Sequence, residues 1–173
     1  MHTNRNPSLT QNDIEEFLAA YLGIRNVIWL RGGIAGDDTD GHIDDVARFC
    51  SPSTIVCALE EDTEDENYAI LQENYRILCD ATDQDGQPFR VVSLPMPRAV
   101  SDDEYRYPAS YMNFYIGNKV VLVPVFGDPR DHKALDILSS LFPARKVIGV
   151  SARAMVEGFG TIHCATQQQP RGR

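Results

Sequence analysis

Apolar positions first recur along the chain at helical spacing. Ile14, Phe17, Leu18, Tyr21 and Leu22 share one face, which predicts a helix. Thr10 precedes it as an N-cap, with Asp13 three residues on as its capping-box partner, and Gly23 supplies the stop. Residues 1–9 are polar and read as irregular. The apolar run 27–30 predicts a short strand. The stretch 31–41, dense in Gly and Asp, predicts a loop.

Two similar units come next. The first reads strand (42–49), strand (54–59), acidic turn, helix (about 64–79) and strand (89–94). Its helix places Tyr68, Leu71, Tyr75 and Leu78 on one face. The second reads strand (112–116), strand (120–126), helix (about 129–142) and strand (146–150). Asp128 and Pro129 suit the N-cap and first turn of that helix, and Gly117-Asn118 suits a two-residue hairpin connection. A third unit begins at 161–166. The expected fold class is therefore α/β: one domain over 1–173, with ββαβ repeat units at about 42–94 and 112–150 and partial units at both ends. Repeats bury their faces on their neighbours. Incomplete ends thus predict an exposed apolar patch, and a chain that is part of something larger or needs a partner. Stretches 81–87 and 98–108 read as surface loops.

Composition narrows the function classes. With 43% apolar residues, the 173-residue chain is not globally disordered. Sixteen basic against 25 acidic residues give a net charge of −9. This argues against a nucleic-acid partner and suits a cationic ligand. No apolar window approaches the length of a membrane span, and the N-terminus lacks the apolar core of a secretory signal. The four cysteines form no C-x-x-C, and no close Cys/His group has zinc spacing. A reduced, cytoplasmic protein without a metal centre is expected. Cys50, Cys57 and Cys79 lie in apolar stretches and read as small core residues.

Two stretches carry candidate chemistry. Residues 36–45 hold five carboxylates and one histidine. A calcium loop with Gly41 sixth would need Asp first and Glu twelfth; those positions are Gly36 and Ala47, so it fails. A dinucleotide fingerprint fails at Arg31. A solvated acidic turn accounts for Asp37 and Asp38, but not for His42 and Asp44, which open an apolar stretch. On a strand His42 and Asp44 share a face. A histidine beside a carboxylate can move protons or hold a cation, although many pairs of this spacing are incidental. In the second stretch, Gly158 and Gly160 permit close backbone approach ahead of a short strand carrying Cys164. Cys164 reads either as a buried structural cysteine or as a thiolate nucleophile in a cleft lined by backbone amides. On that strand His163 faces away from it, which leaves the distant His42 as its partner.

Several blocks, in order and over nearly the whole chain, resemble agmatine deiminase, within the wider arginine-deiminase and bacterial peptidylarginine-deiminase group. They are Ile28-Trp29-Leu30, the Gly-x-x-Gly-Asp-Asp-Thr-Asp-Gly-His-Ile-Asp run from Gly33, Ala47-Arg48-Phe49, Pro-Ala-Ser-Tyr-Met-Asn-Phe-Tyr-Ile at 108–116, Phe126-Gly127-Asp128-Pro129, and Ile-His-Cys-Ala-Thr-Gln-Gln-Gln-Pro at 162–170. The resemblance implies a pentein α/β-propeller of five ββαβ units, of which this chain would be about half, the C-terminal half. It implies Cys164 as nucleophile, His42 as general acid/base and Asp44 as the carboxylate that grips a guanidinium, with Gly160 and Asn113 beside the substrate.

The implied reaction is hydrolysis of agmatine to N-carbamoylputrescine and ammonia, in putrescine and polyamine biosynthesis, without metal or organic cofactor. The implied partner is a small cationic guanidino substrate, with no nucleic acid and no membrane; the full-length protein would be a homo-oligomer. Deimination of peptidyl-arginine is the alternative; the 36–45 block and the Gln-Gln-Gln-Pro end favour the agmatine type. The family also uses an acidic residue in a Trp-x-Arg-Asp segment of its N-terminal half. No such segment occurs here, so a catalytically incompetent fragment is a third expectation. Phe159 stands where many agmatine deiminases have Gly.

Overall fold

The protein is described by a computed structural model covering residues 6–38 and 41–169. Residues 1–5, Thr39 and Asp40 of the acidic loop, and the last four residues from Pro170 lie outside the described residues. Helix α1 (Gln11–Leu22) starts and stops as the sequence signals. Thr10 Oγ1 accepts the Asp13 N–H at 3.2 Å, and the Asp13 carboxylate accepts the Thr10 N–H at 2.7 Å. Gly23 ends the helix at φ 69°, in the left-handed region.

The first unit comprises β1 (Ala47–Ser51), β2 (Thr54–Leu59), α2 (Tyr68–Asp80) and β3 (Arg90–Pro95). β1 pairs antiparallel with β2, and β2 parallel with β3, with Thr54 opposite Arg90 and Leu59 opposite Pro95. A ribbon of β4 (Val100–Ser101) and β5 (Arg106–Tyr107) follows. The second unit repeats the connection with β6 (Tyr115–Ile116), β7 (Val120–Val125), α3 (Asp131–Leu141) and β8 (Lys146–Ser151). A parallel return needs a crossover, and in each unit a helix supplies it. Leu71 and Leu78 of α2, and Ala134 and Leu138 of α3, are buried. The central strands are correspondingly apolar: Ile55, Val56, Cys57 and Ala58 are all buried.

Several expected elements differ. The strand expected over 42–49 starts only at Ala47, because Ile43–Asp45 form a single 3-10 turn. The Asp45 N–H bonds the His42 carbonyl and the Val46 N–H that of Ile43; adjacent Asp residues favour such local bonding over a ladder. Residues 27–30 form no strand. Of 112–116 only Tyr115 and Ile116 pair. The hairpin tip lies one residue later than expected, because the Gly117 N–H closes onto the Val120 carbonyl at 2.8 Å. Helix α3 begins at Asp131, whose carboxylate turns back to accept the N–H groups of Phe126, Gly127 and Asp128. Residues 161–166 form turns, not the strand of a third unit. Cys57 is buried and Cys50 half-buried, but Cys79, in the last turn of α2, is exposed and is no core residue.

Phe17, Tyr21, Leu22, Ile43 and Phe49 are exposed. A groove of about 500 Å³, lined in part by Leu18, Ile24, Ile28, Ile43 and Phe49, runs between α1 and the first unit and reaches Asp44 and His163.

Candidate active site

Three segments without ladder bonds converge. The first is the glycine loop, tied down by α2. Asn74 Oδ1 accepts the Arg31 N–H and its Nδ2 donates to the Gly32 carbonyl, both at 2.9 Å. Asn67 Oδ1 accepts the Ala35 N–H at 2.7 Å. Gly36 sits at φ 86°, and a Cβ there would collide with the Arg106 carbonyl. Asp37 Oδ2 then accepts the N–H groups of Gly41 (3.0 Å) and His42 (2.6 Å). That fixes His42 at the start of the 3-10 turn carrying Asp44 and Asp45.

The second segment is 109–114, in which every residue is buried. Ser110 Oγ donates to the Asp45 carbonyl at 2.8 Å, and the Tyr111 hydroxyl donates to Asp131 at 2.6 Å. The Arg48 guanidinium donates to the Phe114 carbonyl and lies 4.6 Å from the centre of its ring. These anchors flank Asn113, which is buried. The third segment is the turn 160–166. Here the Ala165 N–H bonds the Thr161 carbonyl and the Thr166 N–H that of His163. Gly160 lies against the cysteine: a Cβ there would be 2.9 Å from Cys164 Cβ and 3.1 Å from its sulfur.

The segments meet at two side chains. Asn113 Nδ2 is 3.0 Å from Asp44 Oδ2, 3.0 Å from Asp45 Oδ1 and 3.1 Å from Cys164 Sγ. Its Oδ1 accepts from Thr161 Oγ1 (2.8 Å), the His163 N–H (2.9 Å) and the Cys164 N–H (3.3 Å). Asp44 Oδ2 also lies 3.6 Å from Cys164 Sγ and 2.6 Å from His163 Nδ1. His42, Asp44 and Asp45 each present a ligand-type atom, all within 4.8 Å of one another.

The charges are unequal. Burial pushes the Asp44 carboxyl up, but its bond to His163 and that ring's charge outweigh this and hold it below the ordinary value. Asp45, 4% exposed, is pushed up to about 7 by burial, with the Asp44 charge adding. Burial also raises the Cys164 thiol; the Asn113 and Thr161 hydrogen bonds act against it, and the Asp44 and Asp45 charges add to it. Cys50 and Cys57 are raised further, to about 11 and about 12, mainly by burial.

The structure thus gathers Asp44, Asn113, Gly160 and Cys164, with His42 beside Asp44. It changes the expectation for His163: with 161–166 turned rather than extended, this ring does not face away but meets the same carboxylate oxygen as Cys164. The sequence pattern does not single out His163, Asp45 or Thr161 as parts of this cluster. Gly158 and Gly160 ahead of Cys164 were the available signal, since two glycines so close argue for a turn as readily as for a strand.

A buried amide, an exposed cysteine and a carboxylate pair beside two histidines thus lie together on a mixed α/β scaffold. The profile of the Porphyromonas-type peptidyl-arginine deiminases matches residues 1–170, and the chain belongs to that family. A Legionella pneumophila (strain Paris) protein named "Putative agmatine deiminase" is 41% identical over 172 residues, covering 99% of this chain and 50% of the relative. A crystal structure described as the putative arginine deiminase of Porphyromonas gingivalis superposes with a TM-score of 0.94 at 45% identity, covering 99% of this chain and 51% of that one. The agmatine deiminase of Enterococcus faecalis superposes with a TM-score of 0.93 at 36% identity, covering 98% and 51%. The family's members are deiminases, hydrolases acting on guanidino groups, and the chain spans about half the length of the relatives it matches.

Proposed function

We propose that these residues form the nucleophile-bearing part of an agmatine deiminase, on about half of a pentein propeller. The observation that carries this reading is the single Asp44 oxygen shared by Cys164, His163 and Asn113. A carboxylate held ionised beside a thiol suits a planar cation, gripped by paired N–H···O bonds, and the bound cation in turn favours the thiolate. The Cys164 sulfur attacks the guanidinium carbon and a C–S bond forms. The C–N bond then breaks as His42 gives its proton to the departing ammonia, leaving an amidino-cysteine. Water, losing one proton to His42, attacks that carbon; a C–O bond forms, the C–S bond breaks, the thiolate returns, and the remaining hydroxyl proton leaves with the ammonia as ammonium. The sum is agmatine plus water giving N-carbamoylputrescine plus ammonia, in the cytoplasm and toward putrescine. Gly160 leaves room for the sulfur, which any Cβ would displace.

The family's description supports a second reading, in which the guanidino group belongs to a peptidyl-arginine. A hybrid decides between them: this chain replaces the matching half of the Enterococcus faecalis agmatine deiminase, and agmatine and an arginine peptide are offered side by side. Agmatine turnover with an amidino adduct on Cys164 alone, abolished in Cys164→Ser and His42→Ala, is the expected outcome. Asp44→Asn should chiefly weaken substrate capture. Preference for the peptide establishes the second reading. A folded hybrid that turns over neither substrate, or carries its adduct on another cysteine, refutes both. The 173 residues by themselves are expected to give no adduct, since the acidic residue of the Trp-x-Arg-Asp segment is not among them.

A further inference from the structure

We propose that Asn113 is a positioning residue: its Nδ2 donates to the Cys164 sulfur and favours the thiolate, while its Oδ1 clamps the turn that carries that cysteine. The inference deepens the reading of Cys164 as the nucleophile and rests on it. The amide's orientation follows from its neighbours. Two backbone N–H groups, of His163 and Cys164, point at one end and can only donate, so that end is the oxygen. The other end faces two carboxyl groups and a sulfur, so it is the NH₂. Asn113 is 1% exposed, and Nδ2 and Oδ1 each already contact three protein atoms. It therefore acts on substrate through its neighbours.

The two amide hydrogens face three acceptors. They are shared among Asp44 Oδ2, Asp45 Oδ1 and the sulfur, at 3.0, 3.0 and 3.1 Å. Asn113 Nδ2 is the side-chain donor that reaches Cys164 Sγ among the described residues, and the surrounding charges of Asp44 and Asp45 oppose a thiolate. Removing this donor leaves those charges unanswered.

The test reads the thiol directly and needs no guanidino substrate, so it stands apart from the outcome of the hybrid. The purified 173-residue chain is alkylated with iodoacetamide across a pH series, and each cysteine is followed by peptide mass spectrometry. Exposed Cys79 is the internal reference, and fully buried Cys57 reports unfolding. In Asn113→Asp the acceptor end survives, but the donor becomes a third carboxylate. The Cys164 curve should move up by about one pH unit, roughly a tenfold slower reaction at neutral pH, with Cys79 unmoved and Cys57 protected. Thr161→Val, which removes the hydroxyl holding Oδ1 at 2.8 Å, should move it the same way by about twofold. An unmoved Cys164 curve in Asn113→Asp with Cys57 protected overturns the proposal. If Asn113→Asp exposes Cys57, Thr161→Val decides, and an unmoved curve there overturns it equally.

Discussion

The two β-β-α-β units share one connection and differ in what leads into them. The first is approached through a polar turn, held by Asp37 from one side and carrying His42, Asp44 and Asp45. The second is approached through a buried run in which Asn113 faces that turn. Inside the units the backbone is satisfied by ladders and helices. In the lead-ins it is satisfied by side chains: Asp37, Ser110 and Asn113 accept from or donate to main-chain groups. The repeats carry the ladders, and the candidate site residues gather where the chain enters them and in the turn after the second.

That equivalence of the units is open to direct attack. Leu71 in α2 and Leu138 in α3 are both fully buried in their own units. Leu71→Ala and Leu138→Ala should each cost about 2–5 kcal/mol in urea melts. They should agree within roughly 1 kcal/mol and leave Cys164 alkylation unchanged in the folded protein. A large inequality would mean that one unit carries the stability and the other rides on it.

What was legible in the sequence divides along the same line. Helix α1 is legible from its caps, and the central strands β2 and β7, the return strands and both crossover helices from apolar periodicity, because there one local pattern decides the structure; the cap expected at Asp128 for α3 is not formed. The lead-ins could not. Asp45 looks like any solvated acid, yet Ser110 and Asn113, 65 and 68 residues away, hold it inside. Period-two alternation turns His163 away from Cys164, whereas 161–166 is turned and tied by the Asn113 amide. Asn113 could be named through family resemblance, but its place between the two carboxylates depends on contacts distant in sequence.

The middle-sized effect separates the lead-ins by pH. Asp45 is pushed up to about 7 in the folded chain, mainly by burial, against an ordinary value near 4 when unfolded. Between about pH 4 and 7 the folded state therefore binds more protons than the unfolded one, and stability falls as pH rises through that window. The contribution is fully present below the unfolded value and lost above about 7. Asp45→Asn keeps an acceptor for Asn113 and has nothing to titrate. Urea melts from pH 4 to 8 should lose much of their downward slope, the variant gaining on the order of 2–4 kcal/mol at pH 8 relative to pH 4. An unchanged slope would show that Asp45 stays ionised, and the two lead-ins would then meet as charge and amide only.

The smallest effect concerns the third segment. Phe159 stands at φ 59°, in the left-handed region where a side chain costs roughly 1–2 kcal/mol. Its ring packs edge-on against Tyr105 and Tyr107, with centroids at 5.8 and 5.6 Å, which ties the segment before Cys164 to the β4–β5 ribbon between the units. Each such pair contributes about 0.5–1.5 kcal/mol, at the lower end for Tyr105, which is 52% exposed. Phe159→Gly loses the rings and releases the strain, while glycine's added freedom in the unfolded chain takes back part of that release. The net change should be a loss of about 1 kcal/mol or less. Phe159→Ala loses the rings and keeps the strain, so it should be less stable than Phe159→Gly, the reverse of the order these residues show in a helix. Paired thermal melts of the two variants measure this sign. If alanine is the more stable, the left-handed backbone is not maintained without the ring, and the aromatic cluster rather than the turn sets the path of the chain into Cys164.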